Sequence, residues 1–358
     1  MKVLQLIDSL HAGGAERVAV NYANALVSLT EGSYLCATRE EGLLKESLLK
    51  EVHFLFLKKT AIIDMKAIKA LNRFINSNHI TIVHAHSSSF FWATLIKILN
   101  PKLVLVWHDH YGNSEFLNKR SQRVLRFCSR FFNQVVCVNT RLEAWAKKNL
   151  KVKSVSYLPN FAIFNSVNAK TELKGIEGKR ILCLANLRSQ KDHINLLKAF
   201  KLVVTKYSDW TLHLVGQDLN DDYSKTIKAY IIEQDLEQHV FIYGSCPDIN
   251  HILHQSTIGV LSSKSEGLPL ALLEYGLAGL PVVATNVGDC SQVISYTKEG
   301  LLIPSENKDA LSEALCTFIT NTALRHQVGQ NLKSKVTTSF SETAIVSRLL
   351  KLYKQHSL

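Results

Sequence analysis

What most constrains the fold is a rhythm: short apolar, β-rich runs alternate with longer stretches of helical period, and the series starts twice. In the first half the runs are VLQLI (3–7), SYLCAT (33–38), HFLFL (53–57), TIVHAH (81–86), LVLVW (103–107) and QVVCVN (134–139). Helical patterns such as AERVAVNYANALVS and DMKAIKALNRFINS stand between most of them. The second series runs RILCLANL (180–187), TLHLVG (211–216), VFIYG (240–244), IGVLSS (258–263) and PVVATN (281–286). Strands alternating with helices read as an α/β doubly wound parallel sheet, so two series predict two Rossmann-like domains. The 358 residues fit that count, at roughly 100–200 residues per domain. The polar segment from Ala162 to Gly178 lacks apolar periodicity and reads as a linker, giving domains over 1–165 and 166–340. Ligands of such sheets sit beyond the carboxyl ends of the strands. Two facing domains would share a cleft there.

Seven scattered cysteines without a CxxC pair suggest neither a disulfide framework nor a zinc knuckle, and suit a reducing compartment. The amino terminus lacks the long apolar region of a secretory signal. FFWATLIKIL, from Phe90, is broken by Lys97 and Pro101; it falls short of the roughly 20 residues that span a bilayer. A cytoplasmic location is expected, with contact at the inner face of a membrane left open. The net charge of +12 is uneven: through Asn165 there are 22 Lys plus Arg against 11 Asp plus Glu. The first half therefore faces something anionic or is simply well solvated.

Five segments offer chemistry. SEGLPLALLEYGLAGLPVVAT (265–285) turns at Gly267 and Pro269 into a helix, whose leading amides are a natural phosphate seat. Glu274 lies about a turn inside that apolar helix, where a carboxylate needs hydrogen-bond donors that ligand hydroxyls can supply; Glu266 lies in the loop before it. In RILCLANLRSQKDHINLLKAF (180–200), Arg188 and Lys191 follow a strand end and are placed to neutralise a leaving diphosphate. Gly13 and Gly14 join a strand to a helix and allow close backbone approach, although the pattern is not GxGxxG. His84 and His86, and His108 and His110, each share a strand face. They suit a sugar or acceptor contact better than a metal, because the one neighbouring carboxylate, Asp109, points to the other side of its strand and HAHSSS carries none. Arg120, Arg123, Arg126 and Arg130 recur at helical spacing beside Val124, Leu125, Phe127, Cys128, Phe131 and Phe132, a candidate basic amphipathic helix for an anionic membrane.

Together these segments resemble glycosyltransferase family 4, retaining enzymes of the GT-B fold, over nearly the whole chain. The resemblance rests on the Gly-Gly-Ala-Glu start, HAHS, WHD, YLPN, LHLVG and above all SEGLPLALLE, with its two glutamates separated by seven residues. It implies that Glu266 contacts donor-sugar hydroxyls, Glu274 the ribose, and Lys191 the diphosphate. The backbone over Gly267, Leu268, Pro269 and Leu270 would approach the diphosphate and sugar. Gly13 and Gly14 would close over the donor, and His108 would fall near the reacting sugar. Where the family has an arginine this chain has Asn186, with Arg188 two residues on as the substitute. The resemblance also implies that a final helix over 341–358 crosses back to the first domain. No cofactor is expected beyond a nucleotide diphosphate sugar as donor substrate, and no metal, since no Asp-x-Asp motif is present. The expected partners are that donor, a glycan or lipid-linked acceptor and an anionic membrane surface, but no nucleic acid. A metal-dependent hydrolase built on the histidines and a non-catalytic polyanion- or lipid-binding module are the alternatives.

Overall fold

A computed structural model of the protein describes residues 1–163, 169–295 and 297–356. It divides into two compact units, Met1–Phe161 with Glu342–Leu358, and Ala162–Ser341. The junction expected between residues 165 and 166 lies outside the described residues.

Unit 1 is built from β1 (Lys2–Ser9), α1 (Gly14–Ala25), β2 (Gly32–Glu40), β3 (His53–Phe56), α2 (Met65–Ser77), β4 (Ile82–His86), α3 (Phe90–Leu99), β5 (Val104–Asp109), α4 (Arg123–Cys128), β6 (Gln134–Cys137), α5 (Thr140–Asn149) and β7 (Val155–Tyr157). Its seven strands are all parallel, in the order β3-β2-β1-β4-β5-β6-β7. Strand alternation sorts the side chains. Leu4, Leu6, Cys36, Val83, Ala85, Leu105 and Trp107 face a core shared with α2 to α5. Ile7, Leu35 and Ala37 face α1 through Ala19, Val20 and Ala23. The helices start where sequence allows: Asp64 caps α2 by accepting from the amides of Lys66 and Ala67, each at 3.1 Å.

Unit 2 comprises β8 (Arg180–Leu184), α6 (His193–Val204), β9 (Thr211–Val215), α7 (Asp222–Glu233), β10 (Val240–Gly244), α8 (Ile249–His254), β11 (Ile258–Leu261), α9 (Leu270–Ala278), β12 (Val282–Thr285), α10 (Cys290–Val293), β13 (Leu301–Ile303), α11 (Lys308–Thr320) and α12 (Thr322–Ser339). Its six strands are also parallel, in the order β10-β9-β8-β11-β12-β13. The last helix, α13 (Glu342–Lys354), belongs to unit 1. It lays Tyr353 on His84 and donates from Arg348 to the Tyr157 carbonyl. The edge strands β7 and β13 are absent from the periodicity reading because each is only three residues long.

All seven cysteines are free, six of them buried as small apolar residues and Cys316 half-buried. No described helix is long and apolar enough to cross a membrane.

Candidate functional site

In unit 2 the strand order reverses direction between β8 and β11, the switch point beyond whose strand ends ligands of such sheets bind. The two loops are tied together across it. Lys191, after β8, donates from Nζ to Glu266 Oε1 at 2.6 Å, and Ser263, after β11, donates to the same oxygen at 2.6 Å. Ser262 Oγ donates to the Lys191 carbonyl at 2.9 Å, and the Lys264 amide to the Gln190 carbonyl at 2.8 Å. Glu266 is thus buried and ion-paired. This corrects the expectation of a loop carboxylate open to a sugar: the residue is close to Lys191 as the chemistry requires, but the ammonium already occupies it. Directly after Lys191 the backbone enters the left-handed region at Asp192, with φ 52°, a strained conformation for a residue with a side chain.

Helix α9 begins beside this pair. Pro269 stands at its N-cap and offers no side-chain cap, so the amides of Leu270 and Ala271 keep the partial positive charge of a helix start. Glu274, in the second turn, is buried. The next residue, Tyr275, was not singled out by sequence, yet it fixes the helix. Its hydroxyl accepts from the Leu184 amide at 2.7 Å and lies 3.0 Å from the Leu182 carbonyl, wedged between β8 and β11. Its ring sits where a Cβ on Gly259 would be, 2.7 Å away. The loop before α9 is braced from behind by Gly288, whose φ of 56° suits glycine. A Cβ there would lie 2.4 Å from the Glu266 carbonyl oxygen. The Asp289 amide also donates to the Gly267 carbonyl at 2.9 Å. Gly288 carries no motif of its own; only the fold places it against Glu266.

The other two residues of the β8 loop separate. Asn186 Oδ1 accepts from the Gln217 amide at 2.9 Å and braces the loop after β9. Arg188 is exposed, and no hydrogen bond or ion pair is made by its side chain among the described residues. It is available to an anion, but Asn186 has a structural use that an arginine would not fill.

In unit 1 the four histidines form one stack. The rings of His84 and His86 lie 4.6 Å apart at 21°, those of His84 and His108 5.1 Å apart at 9°, and those of His108 and His110 4.1 Å apart at 30°. His86 Nε2 meets Gln5 Oε1 at 2.8 Å, and its Nδ1 meets His110 Nε2 at 3.0 Å; His84 Nδ1 meets the Tyr353 hydroxyl at 2.6 Å. His84, His86 and His108 are fully buried, and Tyr22 of α1 packs against all three. Direct contact of these three with a sugar or acceptor, expected from their place at strand ends, is therefore corrected: α1 and α13 cover that face. Only His110 reaches partial exposure. Burial holds the group neutral, reinforced by neighbouring imidazoles at His84, His86 and His108: His84 and His110 are pulled down to about 3, and His86 and His108 well below their ordinary value. Ring nitrogens of His84, His86 and His108 lie within 4.8 Å of one another. Near-parallel rings, however, aim their lone pairs side by side rather than at the common point a tetrahedral metal needs.

Gly13 is the N-cap of α1 with φ −125°, and the space beside Gly14 is open, so neither glycine is required by backbone strain. They leave the loop surface bare. The basic stripe is shorter than its spacing suggests. Helix α4 covers only 123–128, and Arg120 precedes it in extended backbone just after a 3-10 segment that ends at Lys119. Arg120 is turned inward, donating to both oxygens of buried Asp109 at 2.6 and 2.8 Å, with its guanidinium 4.4 Å from the Trp145 ring and 4.5 Å from that of Tyr111. Arg120 thus leaves the stripe, because a bidentate, ring-stacked pair satisfies guanidinium better than the surface does. Arg123, Arg126 and Arg130 remain exposed, beside Val124 and Phe127, which are also exposed.

Comparison with known proteins agrees with this architecture. Residues 12–162 match the profile described as Glycosyltransferase Family 4, and residues 168–335 that of Glycosyl transferases group 1. An uncharacterised glycosyltransferase of Haemophilus influenzae is 27% identical over 330 residues, 88% of this chain and 90% of the relative. The Escherichia coli UDP-Gal:alpha-D-GlcNAc-diphosphoundecaprenol alpha-1,3-galactosyltransferase is 24% identical over 340 residues, 88% of this chain and 87% of its own. Among solved structures, Anabaena Alr3699/HepE in complex with UDP-glucose superposes with a TM-score of 0.80 at 16% identity, covering 99% of this chain and 100% of that one. Two parallel α/β units, each matched by its own profile, place the chain in the family 4, group 1 glycosyltransferases of the GT-B fold.

Proposed function

We propose that this glycosyltransferase moves a sugar, with retention of anomeric configuration and without a divalent metal, from a nucleotide diphosphate sugar to a glycan or lipid-linked acceptor in cell-surface polysaccharide assembly. One observation carries the reading: Lys191 lies 2.6 Å from Glu266 at the switch point of unit 2, beside the uncapped start of α9. The bond that breaks leaves negative charge on a diphosphate. An ammonium and helix-start amides, fixed before the reaction, stabilise that charge as it develops. When the phosphate draws Lys191 away, Glu266 is released to accept from sugar hydroxyls. Glu274 serves the ribose hydroxyls, exposed Arg188 adds positive charge, and the bare Gly13–Gly14 loop leaves room beside the donor. The galactosyltransferase relative named above uses a UDP sugar and a diphosphoundecaprenol-linked acceptor, and HepE has been solved with UDP-glucose. Both support the donor and acceptor classes. The exposed Arg123, Arg126 and Arg130 beside Val124 and Phe127 support action at the anionic inner face of a membrane.

The test is a thermal-shift panel of UDP, GDP and ADP sugars. A true donor present at about 100 times its Kd stabilises the native state by about 2.7 kcal/mol, and the shift should be lost in Glu274→Gln. A panel in which no nucleotide sugar raises the melting temperature would overturn the reading.

A further inference from the structure

Two residues of unit 2 that bear side chains turn into the left-handed region that favours glycine. They are Asp192, in the loop after β8, with φ 52°, and Glu306, in the loop after β13, with φ 58°. Such a conformation persists only where its surroundings enforce it. One side chain reaches both. Lys264, in the loop after β11, holds its ammonium 2.8 Å from Glu306 Oε1 and 3.7 Å from Asp192 Oδ2. Because β8 and β13 lie on opposite sides of β11 in the sheet, this lysine ties three loops together. The Asp192 carboxylate is the enclosed one, 9% exposed against 63% for Glu306. Burial pushes Asp192 up, and the charge of Lys264 is the strongest influence against it.

The loop after β11 also holds the two residues before Asp192. Its Ser262 hydroxyl donates to the Lys191 carbonyl, and its Lys264 amide to the Gln190 carbonyl. Positions 190, 191 and 192 are thus fastened in succession to the one segment 262–264, two by hydrogen bonds and the third by charge. In the middle stands Lys191, whose ammonium meets Glu266 at 2.6 Å. On the far side of the turn, α6 is anchored in the core by Leu196, Leu197 and Phe200. A relaxed φ at Asp192 would therefore be taken up on the Lys191 side, rotating the peptide between the two residues and drawing the Lys191 carbonyl away from Ser262.

We propose that Lys264 is a positioning residue for Lys191: by holding the Asp192 carboxylate, it enforces the left-handed turn that aims the Lys191 ammonium at the leaving diphosphate. Lys264 acts through that turn and not on the donor. The inference deepens the transferase reading and rests on it for what Lys191 is aimed at, whereas the clamp itself can be measured without a donor.

The test is suppression. Glycine enters the left-handed region without the penalty of a Cβ, so Asp192→Gly should remove the need for Lys264. Amide exchange followed by NMR on the full chain reads the clamp at the Lys191 and Asp192 amides, which donate to the Arg188 and Ser189 carbonyls at 2.9 and 3.2 Å. Lys264→Met should speed their exchange by about tenfold, and the double variant Lys264→Met/Asp192→Gly should return it to within about threefold of wild type. In transfer assays Lys264→Met should lower kcat about tenfold at nearly constant donor KM, with Lys264→Arg and the double variant each recovering to within about threefold. A lysine acting directly on the diphosphate would not be suppressed by Asp192→Gly. A double variant as slow as Lys264→Met overturns the proposal, and so does wild-type exchange in Lys264→Met. Should Lys264→Met not fold, the single variants decide: Asp192→Ala, which keeps the Cβ and loses the carboxylate, should show the faster exchange and lower kcat, and Asp192→Gly neither. Equal behaviour of those two overturns the proposal. A wild type that binds no nucleotide sugar would sink the transferase reading and leave amide exchange to judge Lys264.

Discussion

The two units solve one topological problem with opposite polarity. Each reverses strand order once, and each places a lysine, a carboxylate and a serine hydroxyl across that reversal. Unit 2 buries Glu266 and leaves Lys191 the more open, whereas unit 1 buries Lys59 and leaves Asp8 the more open. The same topology can therefore show a cation or a carboxylate at its switch point, according to which member of the pair is covered.

The largest expected difference between the units is in acid. Unit 1 holds four histidines neutral by burial, and unit 2 holds two, His193 and His213, each pulled down to about 4. A histidine whose folded value is depressed contributes stability that is complete above its unfolded value of about 6.5. That contribution is lost as pH falls from there toward the folded value, at about 1.4 kcal/mol per pH unit for each group. Below the unfolded value unit 1, with four such groups, should lose stability more steeply with falling pH than unit 2, with two. Hydrogen exchange read by mass spectrometry should show β4 and β5 opening before β8 and β11. Simultaneous opening would mean that the stack is not held neutral.

Next in size is the exposed cation of unit 2. Lys191→Ala should lower turnover 100- to 1,000-fold, about 3–4 kcal/mol of barrier, with little change in acceptor KM. Near-normal turnover in a folded variant would remove Lys191 from leaving-group stabilisation and erase half of the comparison. The smallest effect concerns the surface charge that distinguishes the first half of the chain. Replacing Arg123, Arg126 and Arg130 with glutamine should weaken co-sedimentation with phosphatidylglycerol vesicles by about 1 kcal/mol for each residue. Replacing Arg120 should act on stability instead, because its partner Asp109 is buried. Unchanged vesicle binding in the triple variant would exclude α4 as the contact.

The sequence was informative wherever a feature was local. Strand and helix periods give two parallel sheets, position just after a strand end singles out Lys191, and the turn into an apolar helix singles out Glu266. Features that depend on distant partners were invisible. Asp8 meets Lys59 and Ser88 across 51 and 80 residues, and none of the three stands in a distinctive motif. Tyr275 reads as one more apolar residue of its helix until β8 and β11 are seen on either side of it. Arg120 was misplaced for a related reason. Helical spacing continues upstream from Arg123, but α4 begins only there, and Arg120 is extended, with φ −72° and ψ 122°. Capture of a guanidinium by a buried aspartate leaves no trace in periodicity. Histidines that end strands look reachable from sequence alone. Tyr22 of α1 and the return of α13, more than 230 residues later in the chain, are what cover them.

That return also orders synthesis. The Tyr353 hydroxyl seals His84 from 269 residues away, so the histidine-bearing face of unit 1 stays wet until residues 342–354 have left the ribosome. By then every strand of unit 2 has been translated. The unit begun first is the one finished last. Trimming the chain before Tyr353 would consequently hydrate the imidazoles beneath it and injure the amino-terminal half of the protein, not the half from which the residues were cut.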